Sequence, residues 1–465
     1  MSKNRSRTPL EELDRRNVIH PFTHLKNFAS GAIAGPRIIE SGDGIRVRDS
    51  KGRVSIDAFA GLYCVNVGYG RQEIADAIHE QARRLAYYHS YAAHSNEPSI
   101  VLAERILALC PPGMNKSKVF YGLSGSDANE TQVKIAWYYN NVLGRPEKKK
   151  IIARHRGYHG ATIMAGSLTG LPFYHAAFDL PVPLVLHTTV PHAYWLQTDP
   201  ALGERAFSKR CAEDLERLIQ SHGADTIAAF IAEPALGTGG LIPAPEGYWD
   251  EIQPVLRRHD ILLIADEVIC GFGRTGANFG STLYEIQPDL ITIAKGLTSG
   301  YLPLSGVIAS ERVIEVLESG SDRYGAFSHG YTYTAHPLCA TAGIANLAII
   351  ERENLVENAH TVGEYLQRCL HHAFDKLPHV AEVRGVGLMA AIEFAQDPLA
   401  RVRFPAEAQI GAKLAAACLE QGVISRAMPH GDILGLAPPL ILTRSDVDEI
   451  VGRMLAAVQA SFRRL

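Results

Sequence analysis

Short runs of branched aliphatic residues through the middle of the chain constrain its fold more than any other feature. Those at 118–121, 151–153, 227–232, 261–265 and 290–294 predict strands, and the last three hold no charged residue and do not alternate in polarity. A strand of that kind must be covered on both faces. Between two of them, Tyr248, Ile252, Val255 and Leu256 recur at helical spacing. Strands alternating with amphipathic helices predict an α/β fold with a large, mostly parallel sheet. The last third differs, with long helical patterns at 340–352 and 406–421 around short strand candidates at 380–383 and 388–394, which suits a smaller α+β domain. Near the N-terminus, alternation on either side of Ser50-Lys51-Gly52 predicts a hairpin that packs with the C-terminal part. The expected organisation is an N-terminal segment, 1–66, contributing to the small domain, a large domain over 67–335, and the remainder of the small domain over 336–465. A chain of 465 residues with 46% hydrophobic content can bury cores of this size.

Two polar residues stand at the ends of these runs. Asp266 follows the run at 261–265 and Lys295 follows the run at 290–294. The C-terminal ends of parallel strands are where open sheets place ligands. A buried amine and a buried carboxylate at such ends match the needs of pyridoxal 5'-phosphate. Its aldehyde forms a Schiff base with an amine, and its ring nitrogen stays protonated beside a carboxylate. An apolar pocket would lower the pKa of Lys295, letting it act as nucleophile and proton carrier. The competing reading makes Asp266 a helix cap and Lys295 a surface residue, and it would prevail for either residue met singly.

Other segments add to the cofactor reading. Ser124-Gly125-Ser126-Asp127 lies between a strand and a helix whose apolar positions include Val133, Ala136 and Trp137. Gly125 and Ser126 would there offer unpaired N–H groups and the positive end of the helix dipole to a phosphate. An ordinary N-cap explains the same residues equally well. Tyr158 and His159 sit between glycines soon after a strand, where an aromatic ring could stack on a flat pyridine. Val268, two residues past Asp266, could press on the opposite ring face. Each of these, taken singly, also fits plain packing.

Composition narrows the class. A net charge of −3 provides no electrostatic footprint for nucleic acid or an anionic membrane surface. Seven scattered cysteines with no Cys-x-x-Cys spacing argue against a disulfide framework or a metal site. The N-terminal stretch is basic but lacks an apolar segment of the secretory kind, and no run is long enough to cross a bilayer. A cytoplasmic enzyme is the expectation.

Taken in order, Gly125-Ser126, Gly157-Tyr158-His159-Gly160, Glu233-Pro234, Asp266-Glu267-Val268, Ala294-Lys295-Gly296 and the stretch from His329 to Pro337 make the chain resemble the class III aminotransferases of the fold-type-I pyridoxal phosphate enzymes. The resemblance runs from His20-Pro21-Phe22 to Thr443. It is nearest to the amine:pyruvate, or ω-amino-acid:pyruvate, branch through Ala60 to Arg71 and Asp266 to Gly276. It implies Lys295 as the Schiff-base residue, Asp266 on the ring nitrogen, Gly125 and Ser126 on the phosphate, and Tyr158, His159 and Val268 around the ring. Glu233 would orient the site. Thr332 would reach the phosphate of a neighbouring subunit, making a homodimer with shared active sites the minimum unit and leaving a tetramer open. Phe22, Tyr63, Ala92, Tyr158 and Arg426 would line the substrate pocket, with Arg426 receiving a carboxylate.

The sequence departs from that branch at several positions. Tyr63 stands where close relatives usually have tryptophan, and Ala92 where they tend to have a bulkier aromatic. Asp127 replaces a usual glutamate and Leu236 a common glutamine. Thr238 occupies a position that is acidic in the ornithine branch, where the acid pairs with the arginine. Without that acid Arg426 should swing more freely, which points to pyruvate as acceptor. The expected reaction moves an amino group from an amine or ω-amino acid to a keto acid by ping-pong kinetics. Decarboxylase or aminomutase chemistry on the same fold, or a non-catalytic cofactor-binding module, are the alternatives. The donor amine and the stereopreference stay open.

Overall fold

The protein is described by a computed structural model that covers residues 9–463 apart from 34, 115 and 198. Seven strands form the central sheet, labelled here β1 (Lys118–Gly122), β2 (Lys150–Arg154), β3 (Val185–Thr188), β4 (Ile227–Ala232), β5 (Leu262–Asp266), β6 (Leu290–Ile293) and β7 (Ser305–Ala309). Their order is β1-β7-β6-β5-β4-β2-β3. All neighbouring pairs are parallel except those of β7, which runs antiparallel to β1 and β6. The aliphatic strands β4 to β6 sit at the centre, and every residue in them is buried. The helix Gly125–Val142 packs on one face through Val133, Ala136 and Tyr139. The helix Tyr248–Arg258 covers the other with Trp249, Ile252 and Leu256. Strands β3 and β7 have no counterpart in the runs singled out from the sequence. The first is an edge strand carrying His187, and the second opens on Ser305-Gly306, so neither presents an uninterrupted aliphatic run.

The N-terminal hairpin forms as expected, with Arg46–Asp49 antiparallel to Val54–Asp57. Asp49 closes its turn by accepting from the backbone N–H groups of Lys51 and Arg53, both at 3.0 Å. Val423–Ile424 then pairs in parallel with Ile56–Asp57, so the two ends of the chain share one sheet. Val380–Val386, Met389–Phe394, Ile433–Leu436 and Arg426–Ala427 form a third sheet. Helices Leu355–Phe374, Ile410–Glu420 and Arg444–Phe462 pack around it. The single helix expected over 406–421 is instead a short 3-10 turn, Ala406–Ala408, followed by Ile410–Glu420, because Gln409 adopts a left-handed conformation between them. No helix among the described residues is long and apolar enough to cross a membrane.

Candidate active site

The C-terminal ends of β1, β5 and β6 open onto a cavity of about 570 Å³. Asp266, the last residue of β5, is 2% exposed and accepts three hydrogen bonds. Oδ2 receives Asn129 Nδ2 at 2.9 Å and lies 2.8 Å from His159 Nδ1, while Oδ1 receives the N–H of Val268 at 3.1 Å. An ionised carboxylate can only accept, which fixes the proton of His159 on Nδ1. Asn129 also donates to the carbonyl of His159 at 2.7 Å, and Thr292 on β6 donates to Asn129 Oδ1 at 2.7 Å. The carboxylate is thus oriented by groups from three separate segments.

Lys295 stands just past β6 in a 3-10 turn with φ of 42°, a strained conformation for a residue bearing a side chain. Burial lowers the pKa of its amine below the ordinary lysine range, opposed by the charges of Cys64, Asp266 and Glu233. Among the described residues the amine makes no hydrogen bond or ion pair, so no neighbouring side chain holds it. Glu233 is buried and sits after β4. Its Oε1 accepts from Gly237 N–H at 3.0 Å and its Oε2 from Tyr158 N–H at 3.3 Å. Desolvation raises its pKa, with His159 and Arg154 pulling the other way.

The helix starting at Gly125 points its first turn into the cavity rim. Ser124 and Asp127 close a capping box, with Ser124 Oγ accepting from Asp127 N–H at 3.2 Å and Asp127 Oδ1 from Ser124 N–H at 3.0 Å. The cap satisfies Asp127 N–H, while Gly125 and Ser126, whose N–H groups lack intrahelical acceptors, line the cavity. A Cβ at Gly125 would come within 3.0 Å of Val268 Cγ2, so glycine keeps this approach open. Tyr158 and Val268 both line the cavity.

Eleven of the residues singled out from the sequence converge on this cavity: Phe22, Tyr63, Gly125, Ser126, Tyr158, His159, Glu233, Asp266, Val268, Lys295 and Arg426. Arg426 lies over the Phe59 ring at 5.6 Å and makes no ion pair among the described residues. Tyr63 is 1% exposed, tilts against Phe59 at 4.4 Å, and has a hydroxyl without a hydrogen-bond partner among them. Burial holds that hydroxyl far above the usual phenol range, with Arg426 the main opposing charge. Ala92 and Thr332 are not brought in. They sit on the exposed surface, in segments tied together where Tyr87 donates to the carbonyl of Thr332 at 2.6 Å. Sequence reasoning missed Asn129, Cys64 and Tyr174. Asn129 left a trace, being a polar residue on the same helical stripe as Val133 and Ala136.

The arrangement fits pyridoxal phosphate on the structure's own terms. An oriented buried carboxylate, an amine without a partner, open N–H groups for a phosphate, and an aromatic with a branched aliphatic to enclose a flat ring occur in one pocket. A fold and pocket of this kind define a pyridoxal-phosphate-dependent transferase. Comparison carries the assignment further: the family described as Aminotransferase class-III matches residues 29–458, and the chain belongs to it. It is 59% identical over 450 residues to a diaminobutyrate–2-oxoglutarate transaminase of Halomonas elongata, covering 97% of this chain and 95% of that one. It is 45% identical to the mitochondrial gamma aminobutyrate transaminase 1 of Solanum lycopersicum, over 90% of this chain and 80% of the relative. Among solved structures, the omega transaminase of Pseudomonas jessenii in complex with PMP superposes with a TM-score of 0.95 at 42% identity, covering 98% of this chain and 99% of that one. The protein is therefore a pyridoxal-phosphate-dependent aminotransferase.

Proposed function

We propose that this aminotransferase takes the amino group of a primary amine or ω-amino acid and passes it to a keto acid, with pyruvate as the acceptor. The observation that carries the reading is Arg426, which lines the Lys295 cavity with Thr238 in place of an acid and with no ion-pair partner among the described residues. A guanidinium in that state can receive a carboxylate when a keto acid is present and withdraw when an uncharged amine is. A specific observation favours a second reading, 2-oxoglutarate as acceptor, because the relative from Halomonas elongata is named for that keto acid. Incubating the holoenzyme with a panel of amine donors and either pyruvate or 2-oxoglutarate separates the two. Alanine formation at the higher kcat/KM supports pyruvate; glutamate formation at the higher value overturns it.

Bound pyridoxal phosphate supplies an aldehyde that condenses with amines and a ring that accepts electron density. The residues of the chain do the rest. Lys295 would hold the cofactor until a donor amine displaces it. Its freed amine, whose pKa burial lowers, would then take the proton from the amine-bearing carbon and return it one position away. Asp266, oriented by His159 and Asn129, would keep a proton on the ring nitrogen throughout. Gly125 and Ser126 would hold the phosphate, and Tyr158 and Val268 would sandwich the ring. Glu233 would position the Tyr158 backbone through its 3.3 Å hydrogen bond. Tyr63 and Phe22 would bound the donor pocket. In a homodimer, the shared patch carrying Ala92 and Thr332 would complete the site of the partner subunit, with Thr332 on its phosphate.

A further inference from the structure

A second cavity, of about 710 Å³, lies apart from the one holding Lys295, beside the loop after β2 and the C-terminal sheet. Three arginines line it, Arg156, Arg210 and Arg403, together with His192 and His430. The one carboxylate in its wall, Asp214, is already engaged by Thr189 Oγ1 at 2.6 Å and by Arg217. Arg156 is the unusual member. It is 5% exposed, donates through Nε to the carbonyl of Gly239 at 2.8 Å, and has Nη1 2.7 Å from His192 Nδ1. Its Nη2 has no hydrogen-bond partner, and it forms no ion pair among the described residues. The nearby carboxylates are shared among several partners: Arg384 pairs with Glu382 at 2.5 Å and Glu393 at 2.7 Å, Arg403 reaches Glu393 at 3.4 Å, His192 Nε2 lies 2.8 Å from Glu382, and Trp195 donates to Glu393 at 2.6 Å. Burial drops the pKa of Arg156 to about 9, with the charge of Glu393 pulling the other way.

A buried guanidinium without an ion pair of its own carries a desolvation cost that a bound anion would offset. We propose that this cavity is a binding site for a small organic anion, a carboxylate or phosphate carried on an apolar body. The oxyanion would sit between Arg156 and Arg403, whose guanidinium lies 3.7 Å from the centre of the Trp195 ring. The body would pack on Val190, Trp195 and Leu196, which line the same cavity. A metal ion is a poorer fit. His192, Glu382 and Glu393 converge within 4.8 Å, but Arg384 bridges both glutamates, Arg403 also reaches Glu393, and Arg156 contacts His192. The site adjoins the catalytic cavity through the chain itself, since Arg156 precedes Tyr158 by two residues and Gly239 follows Thr238.

Isothermal titration of the holoenzyme with phenyl phosphate and with benzoate tests the assignment. The two anions share the apolar body and differ in the oxyanion, so the tighter one identifies the ligand class. Arg426→Ala should retain a single saturable site for at least one of them, and wild type should show that site with room for a second molecule at Arg426. Arg403→Ala should weaken it at least tenfold, and Arg210→Ala, on a separate helix, should weaken it as well. Absence of saturable binding to wild type, loss of binding in Arg426→Ala, or unchanged affinity in both the Arg403 and Arg210 variants would each overturn the proposal.

Discussion

Replacing Asp266 with asparagine isolates the charge of the buried carboxylate from its shape. The side chain is 2% exposed and surrounded by three donors, His159 Nδ1, Asn129 Nδ2 and Val268 N–H. An amide can present its oxygen to only one side, so its NH₂ group must face a donor, which weakens the grip on His159 as well as removing the charge. Two opposite unit charges about 4 Å apart interact by about 4 kcal/mol at an effective dielectric of about 20. With each 1.36 kcal/mol worth about tenfold in rate, and the amide dipole restoring a fraction, kcat/KM should fall by roughly 10² to 10³. The assay is alanine formation under saturating pyridoxal phosphate, with bound cofactor measured separately by absorbance. A fully loaded Asp266→Asn enzyme within about fivefold of wild type would refute the assignment of Asp266 to the ring nitrogen.

Four further outcomes can be checked directly. Lys295→Ala should abolish turnover and the absorbance band of lysine-linked cofactor; persistence of either places the attachment elsewhere. Because burial lowers the pKa of Lys295, attachment of pyridoxal phosphate to apoenzyme should accelerate with rising pH and level off below 10.5. Between the lowered native pKa and 10.5 the unfolded chain binds the extra proton, so the contribution of this lysine to stability grows with pH across that window, and a plateau only above 10.5 would contradict the burial argument. Glu267, buried against the N–H groups of Gly280 at 2.9 Å and Ser281 at 2.5 Å, has its pKa raised by desolvation to about 7. The native state then holds the proton that the unfolded state releases, so its contribution declines as pH rises from about 4.5 to about 7, and Glu267→Gln should flatten the pH dependence of Tm there. Asp127→Ala removes acceptors for Ser124 N–H, Leu123 N–H and Ser305 Oγ and should cost about 1–2 kcal/mol in urea unfolding; an unchanged midpoint would show that the cap contributes little.

The sequence by itself determined the central strands and the two residues that end them. Strands β4 to β6 are buried on both faces, so their positions are filled almost entirely by apolar side chains, and the polar residue that ends each run marks where the sheet meets the cavity. The hairpin around Ser50-Lys51-Gly52 was legible for the same local reason, a turn between alternating strands. Tertiary structure decided what no local pattern encodes. Arg426 and Phe22 reach the Lys295 cavity only because distant segments fold against the ends of β1, β5 and β6. The orientation of Asp266 depends on Asn129 and His159, which belong to other segments and whose hydrogen bonds exist only once the helix and loop are docked. Placement of Ala92 and Thr332 outside the cavity was equally invisible in their motifs. Periodicity and composition record how each residue meets solvent, whereas the distances between catalytic groups are set by how whole elements pack.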